Sequence, residues 1–388
     1  MERIYLDHNA TTPLDPRVFE TMSAHLRGTT GNASSLHHFG QRARAAVEEA
    51  RGDVASLIGA SAAEVVFTSG GTEADNMAVR GLAAAAPSSR RRIVAAALEH
   101  HAVLHTVGAL AEEGWDVQLV PAGEDGVVDL ARLGAYVDDR TAFVALMLAN
   151  NETGVLQPVK EAVRIAREHG ALVHCDGVQA AGKVPVDVRD LDVDTFALSA
   201  HKIYGPQGVG ALYVKRGTRM KAFLRGGGQE RNRRAGTENV AGIAGLGHAA
   251  RVAREEGPSE AARVAPLRDL LERSLLALPG CRPNGTGPRV ANTASVSFER
   301  ADAESLVMAL DLLGVAVSTG AACAAGAVEP SHVLRARGLS PARVRGSVRF
   351  SLGRGTQEPD VVRAGGAVAE ALERQRRSRL GMPATSRA

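Results

Sequence analysis

The chain has 388 residues, of which 23% are charged and 45% hydrophobic, proportions that are typical of a folded globular protein and exclude extended disorder. This length exceeds one minimal domain, so we expect a large core and a second, smaller one. The formal net charge of +3 comes from Lys and Arg spread among nearly as many acids, which gives no indication of a nucleic-acid partner. No run approaches the ~18 apolar residues of a membrane span or opens the chain as a signal peptide. We therefore expect a cytoplasmic protein without membrane association.

Short β-rich runs alternate with amphipathic stretches from about residue 64 to residue 215. The runs are apolar on both faces, which predicts a mainly parallel sheet covered by helices, a three-layer α/β lobe. Helical spacing falls on Glu73–Leu82, His101–Glu113 and Pro158–Glu168. The predicted strands are VVFT, IVAAA, VQLV, FVALML, ALVHC, TFALS and GALYV.

The pattern changes after about residue 260 to helices and short strands, with an Arg-rich helix near 261–276 and the strand-like run VANTASVSF at 290–298. We assign residues 15–260 to a large domain. Residues 1–14 and 261–375 form a small domain in this division. The basic, polar and Pro-broken residues 376–388 are expected to be a flexible tail.

Unusual residues follow the predicted strands of the large domain. In parallel sheets, ligands bind at the carboxyl ends of the strands, where loops lead into helix N-termini. The sequence therefore predicts a site at this edge of the sheet. The residues concerned are Thr72, Glu99, His100, Asn150, Asn151, Asp176, Ser199, Ala200, His201 and Lys202.

Lys202, in SAHKIYGPQG, ends a buried strand pattern and precedes Gly205 and Pro206, so its ammonium is expected in a crevice. A desolvated lysine forms Schiff bases with aldehydes, the reaction that pyridoxal phosphate requires. A solvated surface lysine is the alternative.

The segment TSGGTEADN leads from a strand through Gly70 and Gly71 into a helix that begins at Thr72 or Glu73. Backbone N–H groups and the Thr72 hydroxyl would form an anion cradle suited to a phosphate. An ordinary helix cap at Thr72 is the alternative.

The segment HCDGVQAAGK nearly matches a P-loop through Gly177, Gly182 and Lys183, but Val184 stands where the magnesium-binding Ser or Thr is needed. We therefore reject a nucleotide site. Asp176 is better interpreted as a buried carboxylate facing a pyridinium nitrogen, with a turn or cap Asp as the alternative.

His100 and His101 are adjacent, and His105 lies one helical turn beyond His101. A zinc pair is conceivable, but there is no HExxH pattern and no evident third ligand, so no metal site is predicted. His100 suits ring stacking and acid/base work at a strand end, and His101 is expected on a helix surface.

Cys175, Cys281 and Cys323 are odd in number without paired spacing, which argues against a disulfide framework or a cysteine zinc site and favours a reducing compartment. Cys323, in STGAACAAG, lies among small residues typical of a mobile loop and is the better candidate for a reactive thiol. Cys281, beside Pro283 and Gly285, is also expected in a loop and stays open.

Taken together, these motifs resemble the cysteine desulfurases of the class V aminotransferase family, in the branch that serves iron–sulfur cluster assembly. The resemblance runs from residue 5 to residue 356. It implies a fold-type I pyridoxal-phosphate enzyme with a three-layer large domain and a smaller α+β domain. The matching motifs are YLDHNATTPLDP, GNASSLHHFG, FTSGGTEADN, EHHAVL, NNETGV, HCDGVQAAGK, SAHKIYGPQGVGALYV, GGGQERNRRAGTEN, STGAACAAG, EPSHVLRARGL and RFSLGRGT.

The resemblance implies that Lys202 binds the cofactor covalently and that Cys323 attacks the sulfur of L-cysteine, giving L-alanine and a persulfide. The persulfide sulfur would pass to an acceptor protein, an iron–sulfur scaffold or a thiolation protein, and the enzyme would be a homodimer. The other implied roles are ring contacts by His100, Asn151, Asp176 and Gln179, phosphate contacts by Gly71, Thr72, Ser199, His201 and Thr237 of the other subunit, and substrate contacts by Asn151 and Arg349.

Two further expectations follow from differences within the resemblance. Gly177 stands where the family usually has Ala, so a contact to the cofactor face would be thinner, and Ala321 and Ala324 replace hydroxyl residues beside Cys323.

A selenocysteine lyase, a transaminase or an epimerase on the same scaffold is the alternative function. A non-catalytic sulfur carrier is disfavoured by the joint presence of Lys202 and Cys323.

Overall fold

The computed structural model describes residues 3–28, 30–319 and 330–379. Cys323, on which the predicted sulfur chemistry depends, lies outside the described residues, as do Ala321 and Ala324.

Strands and helices alternate through most of the chain. In chain order the strands are β1 (Ile4–Tyr5), β2 (Val65–Thr68), β3 (Arg92–Ala96), β4 (Asp116–Val120), β5 (Thr141–Ala145), β6 (Leu172–Asp176), β7 (Thr195–Ser199), β8 (Gly210–Val214), β9 (Cys281–Pro283), β10 (Thr293–Phe298), β11 (Val315–Ala316) and β12 (Ser347–Ser351). The helices are α1 (Pro16–Gly28), α2 (His38–Leu57), α3 (Gly71–Ala85), α4 (His101–Glu112), α5 (Leu130–Tyr136), α6 (Val159–Glu168), α7 (Val188–Leu191), α8 (Gln229–Asn232), α9 (Val240–Leu276), α10 (Ala303–Leu312), α11 (His332–Ala336), α12 (Pro341–Arg345) and α13 (Glu358–Arg379).

The central sheet has the strand order β2-β8-β7-β6-β5-β3-β4. The neighbours from β7 to β4 pair in parallel, whereas β8 runs antiparallel to both β2 and β7. The strand side chains are buried on both faces, as for Phe143, Phe196 and Tyr213, because helices cover the sheet on each side. The predicted strands and the mainly parallel sheet are confirmed.

Two layers of helices bury the sheet. On one face, Val47 of α2 and Leu246 of α9 pack in one apolar cluster with strand residues such as Phe196. On the other face, Leu82 of α3 and Val107 of α4 pack with strand residues in a second cluster. This helix–sheet–helix arrangement leaves the carboxyl ends of the strands as the open edge.

Helix α9 is longer than the sequence predicted. The expected helix near 261–276 is the second half of one helix that begins at Val240 and continues through Pro258 and Pro266. The early part of α9 packs on the sheet, and Leu271 and Leu275 pack in the core of the second lobe. Burial against two cores outweighs the loss that each proline causes in a helix interior.

The second lobe has its own core under the sheet β12-β10-β9. The N-terminal strand β1 pairs in parallel with β11, and Ile4 and Leu6 are buried in this core with Phe298 and Phe350. Helix α13 continues to Arg379. Residues 376–379, which were expected to belong to the flexible tail, are therefore helical. Among the helices described, none is both long and apolar enough to cross a membrane.

Candidate active site

A cavity of about 270 Å³ lies at the carboxyl ends of strands of the central sheet. It brings together residues that are far apart in the sequence, as the strand-end argument predicted. The predicted residues in its lining are Gly71, Thr72, His100, Asn151, Asp176, Gln179, Ser199, His201, Lys202 and Arg349. The sequence argument missed the lining residues Asn9, Ala10, Asp75, Met147 and Val178.

Lys202 lies in a single 3-10 turn directly after β7. Its Nζ donates to the carbonyl oxygens of Asn9 at 2.6 Å and Ala10 at 2.7 Å, and the side chain is half-buried. The surface-lysine alternative is therefore wrong. The ammonium is held at the wall of the cavity by a segment from the N-terminus of the chain.

Asp176 ends β6 with only 5% of its surface exposed. The Val178 N–H donates to its Oδ1 at 2.9 Å. Burial raises the pKa of the Asp176 carboxyl to about 6, although this N–H and the Lys202 charge oppose the rise. A carboxylate in this setting is stabilised by a cation placed against it.

Asp75, on α3, lies beside Asp176 in the cavity wall and was not predicted. Its Oδ1 is 3.2 Å from Nε2 of His174, whose Nδ1 is 3.0 Å from Thr195 Oγ1. Burial lowers the pKa of His174 to about 3, so this ring is neutral at pH 7. Burial and the Asp176 charge raise the pKa of Asp75. The signal in the sequence was an acid on the same helix face as the apolar residues Ala78 and Val79.

His100 is the N-cap of α4, where its Nδ1 accepts the Ala102 N–H at 3.1 Å. The proton of the neutral ring is therefore on Nε2. Burial, followed by the charge of Lys202, lowers the pKa of His100 to about 4. The imidazole is neutral at pH 7 with one fixed tautomer.

His101 is not simply a helix-surface residue as expected, because its ring stacks on that of His105 and lies tilted against that of His332. Its ring centroid lies 4.8 Å from that of His105 and 4.4 Å from that of His332, and the side chain is half-buried. Within the described ranges, no three His, Cys, Asp or Glu side chains converge in a way that could hold a metal ion.

The start of α3 and the end of β7 both contribute to the cavity lining, through Gly71, Thr72 and Ser199. Helix α3 begins at Gly71 with Gly70 as its N-cap, so the interpretation of Thr72 as the cap is wrong. A Cβ on Gly71 would lie 2.7 Å from Val178 Cγ2, which explains the glycine. The Nδ1 of His201 is 3.1 Å from Thr11 Oγ1. The first N–H groups of a helix have no acceptor within the helix, so a helix start that lines a cavity favours an anion there.

Arg349 reaches the cavity from β12 of the second lobe. Its Nη2 donates to Asp7 Oδ1 at 2.7 Å and its Nη1 to the Asn151 carbonyl at 3.0 Å. The Arg349 Nε and the Asn151 Oδ1 are both buried, and neither has a hydrogen-bond partner in the part of the chain that the structure describes. Each is available for a ligand in the cavity.

One predicted detail is placed differently, and another stays a prediction. Thr237, which the resemblance assigns to the cavity of the other subunit, is exposed and does not line the cavity of its own chain. A Cβ on Gly177 would overlap the buried ring of Phe196 in the core. The expectation of a thinner cofactor contact at Gly177 is therefore wrong, because a methyl group here would face Phe196.

The described cysteines are poor nucleophiles. Cys175 is fully buried in β6, and burial raises the pKa of its thiol. Cys281 lies in strand β9 and not in the predicted loop, and burial raises its thiol pKa to about 12. Neither thiol ionises readily at pH 7.

Comparison with known proteins gives a consistent result. Residues 4–363 match the family model described as aminotransferase class-V. The chain is 49% identical over 363 residues to the cysteine desulfurase IscS of Anaeromyxobacter sp. (strain Fw109-5), covering 92% of this chain and 89% of that protein. It is 43% identical over 364 residues to the cysteine desulfurase IscS of Dictyoglomus turgidum (strain DSM 6724 / Z-1310), covering 92% and 91%.

Solved structures agree with the sequence comparison. A structure described as a NifS-like protein superposes with a TM-score of 0.90 at 37% identity, covering 96% of this chain and 99% of that one. The NifS-like protein from Rickettsia africae ESF-5 superposes with a TM-score of 0.86 at 30% identity, covering 96% and 100%.

Proposed function

Because this chain belongs to the class V aminotransferase family and, within it, to the cysteine desulfurases, we propose that the cavity at Lys202 is where it removes sulfur from L-cysteine. The enzyme is pyridoxal-phosphate dependent and of fold-type I, as members of this family are. The observation that carries the assignment is the meeting of Lys202, Asp176, His100 and Arg349 around one cavity.

The cavity residues fit pyridoxal phosphate. Asp176 is a buried carboxylate suited to a pyridinium nitrogen, and the start of α3 offers N–H groups for a phosphate. The buried Asn151 Oδ1, which has no partner among the described residues, would meet a polar group of the ring or substrate. A lysine held at the cavity wall completes the set.

The cofactor-binding residues divide by the group that they would contact. Asp176 would face the ring nitrogen, Gln179 and Asn151 the ring hydroxyl, and His100 the ring face. Pyridoxal phosphate, when bound, supplies an aldehyde for a Schiff base and an electron-poor ring that acidifies the Cα proton of an amino acid. The phosphate would be held by Gly71, Thr72, Ser199, His201 and the partner subunit's Thr237.

Arg349 binds the substrate carboxylate in this proposal. Its guanidinium is fixed by Asp7 and by the Asn151 carbonyl, which leaves the buried Nε–H for an incoming anion. An arginine held in this way loses little rotamer freedom on binding, and carboxylate–guanidinium bonds are among the stronger hydrogen bonds.

Lys202 would transfer a proton, and His100 would supply a hydrogen bond. Lys202 Nζ, at the cavity wall, would accept the proton from the substrate Cα. His100 carries its proton on Nε2 and is neutral at pH 7, so it would donate a hydrogen bond from Nε2 to a developing negative charge without placing a positive charge in the buried site.

Cys323 is proposed as the sulfur acceptor of the first step. Its thiolate forms an S–S bond to the substrate sulfur while the substrate Cβ–S bond breaks, and the carbon retains the electron pair. The net reaction converts L-cysteine and the Cys323 thiol into L-alanine and a Cys323 persulfide, without an external oxidant.

The residues that flank 320–329 support this role because they are anchored beside the site. On one side, Ser318 exchanges backbone hydrogen bonds with Arg349 at 2.7 and 3.2 Å. On the other side, Ser331 Oγ donates to the buried Glu152 at 2.5 Å, and His332 Nε2 is 2.8 Å from the Glu99 carbonyl, next to His100.

The cellular setting is part of the proposal. The persulfide sulfur would pass to an acceptor protein, an iron–sulfur scaffold or a thiolation protein, in the cytoplasm, with no nucleic-acid or membrane partner. The enzyme would act as a homodimer. Residues 15–260 would form its large domain, and residues 1–14 and 261–375 its small domain.

The test is an absorbance spectrum of the purified protein followed by alanine and sulfide assays with L-cysteine under reductant. We expect yellow protein whose alanine and sulfide formation is lost in Cys323→Ser, while the cofactor absorbance stays. Cys281→Ser is the matched control and should keep full turnover, because its raised thiol pKa disfavours the thiolate.

Full sulfide production by Cys323→Ser would reject the assignment of this residue. Yellow protein that is inert to cysteine would reject the substrate. A strong preference for selenocysteine over cysteine would indicate a selenocysteine lyase instead.

A further inference from the structure

Lys183 has no role in the function proposed above. It follows Gly182 in the loop after β6, in the segment that nearly matches a P-loop. It is half-buried and lines a small second cavity, together with Lys202, Glu260 and Arg354. Lys202 lines both cavities, whereas Lys183 does not line the main one.

Lys183 makes two directional contacts to side-chain amides. Its Nζ donates to Asn9 Oδ1 at 3.0 Å and to Gln179 Oε1. An amine group of lysine offers N–H donors, so each of these amides must turn its oxygen, and not its NH2 group, toward Lys183. Lys183 thus favours one orientation of both amides.

The orientation of Gln179 matters because Gln179 lines the main cavity. With Oε1 held by Lys183, the Gln179 NH2 group is on the other side, where Nε2 donates to the Asn9 carbonyl at 2.9 Å. The second N–H of the same NH2 group remains as a donor. In the reverse orientation, Gln179 would present an acceptor.

The orientation of Asn9 connects Lys183 to other cavity residues. Asn9 Oδ1 also accepts from Asn292 Nδ2 at 3.1 Å, so Asn9 Nδ2 is left to donate to the Asn151 carbonyl at 3.2 Å and to Thr293 Oγ1 at 2.9 Å. The Asn9 carbonyl accepts from Lys202 Nζ. Asn9 is thus bonded to three residues of the cavity lining, Gln179, Asn151 and Lys202, and Lys183 and Asn292 together fix its amide.

We propose that Lys183 is a positioning residue that orients Gln179 and Asn9 so that Gln179 presents an N–H donor to the ring oxygen of bound pyridoxal phosphate. The proposal rests on the proposed function and adds to it a residue outside the main cavity.

The protonation state of Lys183 does not alter this role. Burial, followed by the charges of Lys202 and Arg349, lowers the pKa of Lys183 to about 7. Both the ammonium and the neutral amine keep at least two N–H groups, enough for Gln179 and Asn9 together. The amide orientation is therefore maintained on both sides of neutral pH.

The test is a double-mutant cycle with Lys183→Met and Gln179→Leu, read as the pH midpoint of the visible absorbance change of the bound cofactor. An N–H donor stabilises the anionic form of the ring oxygen. Without this donor the ring oxygen has a higher pKa, and it holds more tightly the proton that it shares with the Lys202 nitrogen. We expect each single variant to raise the midpoint by about one pH unit. The midpoint of the double variant should not exceed that of the single variant with the larger shift, because both substitutions remove the same N–H donor.

Controls separate positioning from a structural or a purely electrostatic effect. Lys183→Arg keeps N–H donors at this place and should restore the wild-type midpoint, whereas Lys160→Met, which removes an exposed lysine paired with Asp190, should leave it unchanged. If Lys183→Met does not fold, Lys183→Ala, which also lacks an N–H donor, takes its place in the cycle. Wild-type turnover of L-cysteine in the same preparations tests the proposed function independently.

An unchanged midpoint in the Lys183 variant overturns the proposal. Fully additive shifts in the double variant also overturn it, since they would mean that Lys183 acts through its charge and not through Gln179. A midpoint in Lys183→Arg equal to that of Lys183→Met would contradict it in the same way.

Discussion

Three carboxyl groups lie buried under the cavity, and their setting indicates what the site is built to bind. Asp75, Glu99 and Asp176 are each at most 5% exposed, and burial raises the pKa of all three. Glu99 accepts the Met147 N–H at 2.6 Å, which leaves its Oε2 buried without a partner among the described residues. Carboxylates buried together are costly when ionised. A cation at Asp176 would relieve this cost, as a protonated pyridine ring does.

The pH dependence of cofactor binding tests this interpretation of Asp176. In the free protein the Asp176 pKa is raised to about 6, so the carboxyl is protonated below that pH and ionised above it. Binding of a protonated ring needs the ionised form, so below about pH 6 the free protein must release a proton on binding. We expect the association constant of the cofactor-free protein to fall by up to about tenfold per pH unit there.

The measurement is a titration of cofactor-free protein with pyridoxal phosphate, followed by absorbance, from about pH 5 to about pH 8. Asp176→Asn is the control, because it shares every pH effect that comes from the phosphate. It should bind more weakly at neutral pH and show a shallower dependence below pH 6. An equal slope in wild type and Asp176→Asn would contradict the role of Asp176.

Residues at strand ends could be predicted from the sequence, and residues from other elements could not. His100, Asp176 and Lys202 each follow a recognisable apolar run, and parallel strands end at one edge. Asn9 reaches the cavity from the N-terminal segment, and Asp75 reaches it from inside α3. Their position depends on tertiary packing, which spacing along the chain does not encode.

At the level of elements, burial on both faces made the strands of the central sheet easy to predict, since it produces continuous apolar runs. The helix α9 was misjudged because Gly257 and Pro258 resemble a break between two elements. Gly257 is buried, and a Cβ there would lie 2.8 Å from the Gly182 carbonyl oxygen. The glycine therefore serves a close approach of α9 to the loop that carries Lys183, and does not end the helix.

Because of this close approach, we expect a Gly→Ala substitution to destabilise the protein at Gly257 in α9 and to stabilise it at Gly108 in α4. In Gly257→Ala the new methyl group meets backbone, which cannot move aside as a side chain can. We therefore expect the free energy of unfolding to fall by about 1–3 kcal/mol, an effect that the higher helix propensity of alanine partly offsets. Gly108 lies on the exposed face of α4, with nothing within 4 Å of an added Cβ. We therefore expect Gly108→Ala to raise the free energy of unfolding by up to about 1 kcal/mol.

Thermal unfolding of the two variants beside the wild type checks this prediction. Gly257→Ala should lower the midpoint and Gly108→Ala should raise it slightly. Equal stabilisation by both alanines would mean that α9 does not approach Gly182 as closely as described.

On the scale of the whole molecule, the cavity takes its lining from both lobes of the chain. Arg349 enters from the second lobe, and Asn9 from the segment that follows β1. Thr237, which the family resemblance assigns to the phosphate, is exposed and outside the cavity lining. The chain also exposes large apolar side chains, namely Leu26, Leu36, Phe39, Phe223 and Leu224. A second copy of the chain would account for both observations.

Complementation between two inactive variants tests whether the partner subunit supplies Thr237. Lys202→Ala would remove the lysine that is proposed to bind the cofactor covalently, and Thr237→Asp would place a negative charge against the phosphate that Thr237 is proposed to contact. If Thr237 acts across a two-fold interface, one site of a mixed dimer combines the intact Lys202 of one chain with the intact Thr237 of the other. Purified mixed dimers should then recover about half of the wild-type turnover of L-cysteine, because one site in two is intact.

If Thr237 instead acted within its own chain, each site of the mixed dimer would keep one defect and no activity would return. Ser89→Asp is the control for the added charge, since Ser89 is exposed and precedes β3, at the opposite end of the sheet from the cavity. Ser89→Asp should keep wild-type turnover. Recovery in the mixed dimer, with both parent variants inactive, would show that two copies of the chain share each active site, whereas its absence would require a complete phosphate site within one subunit.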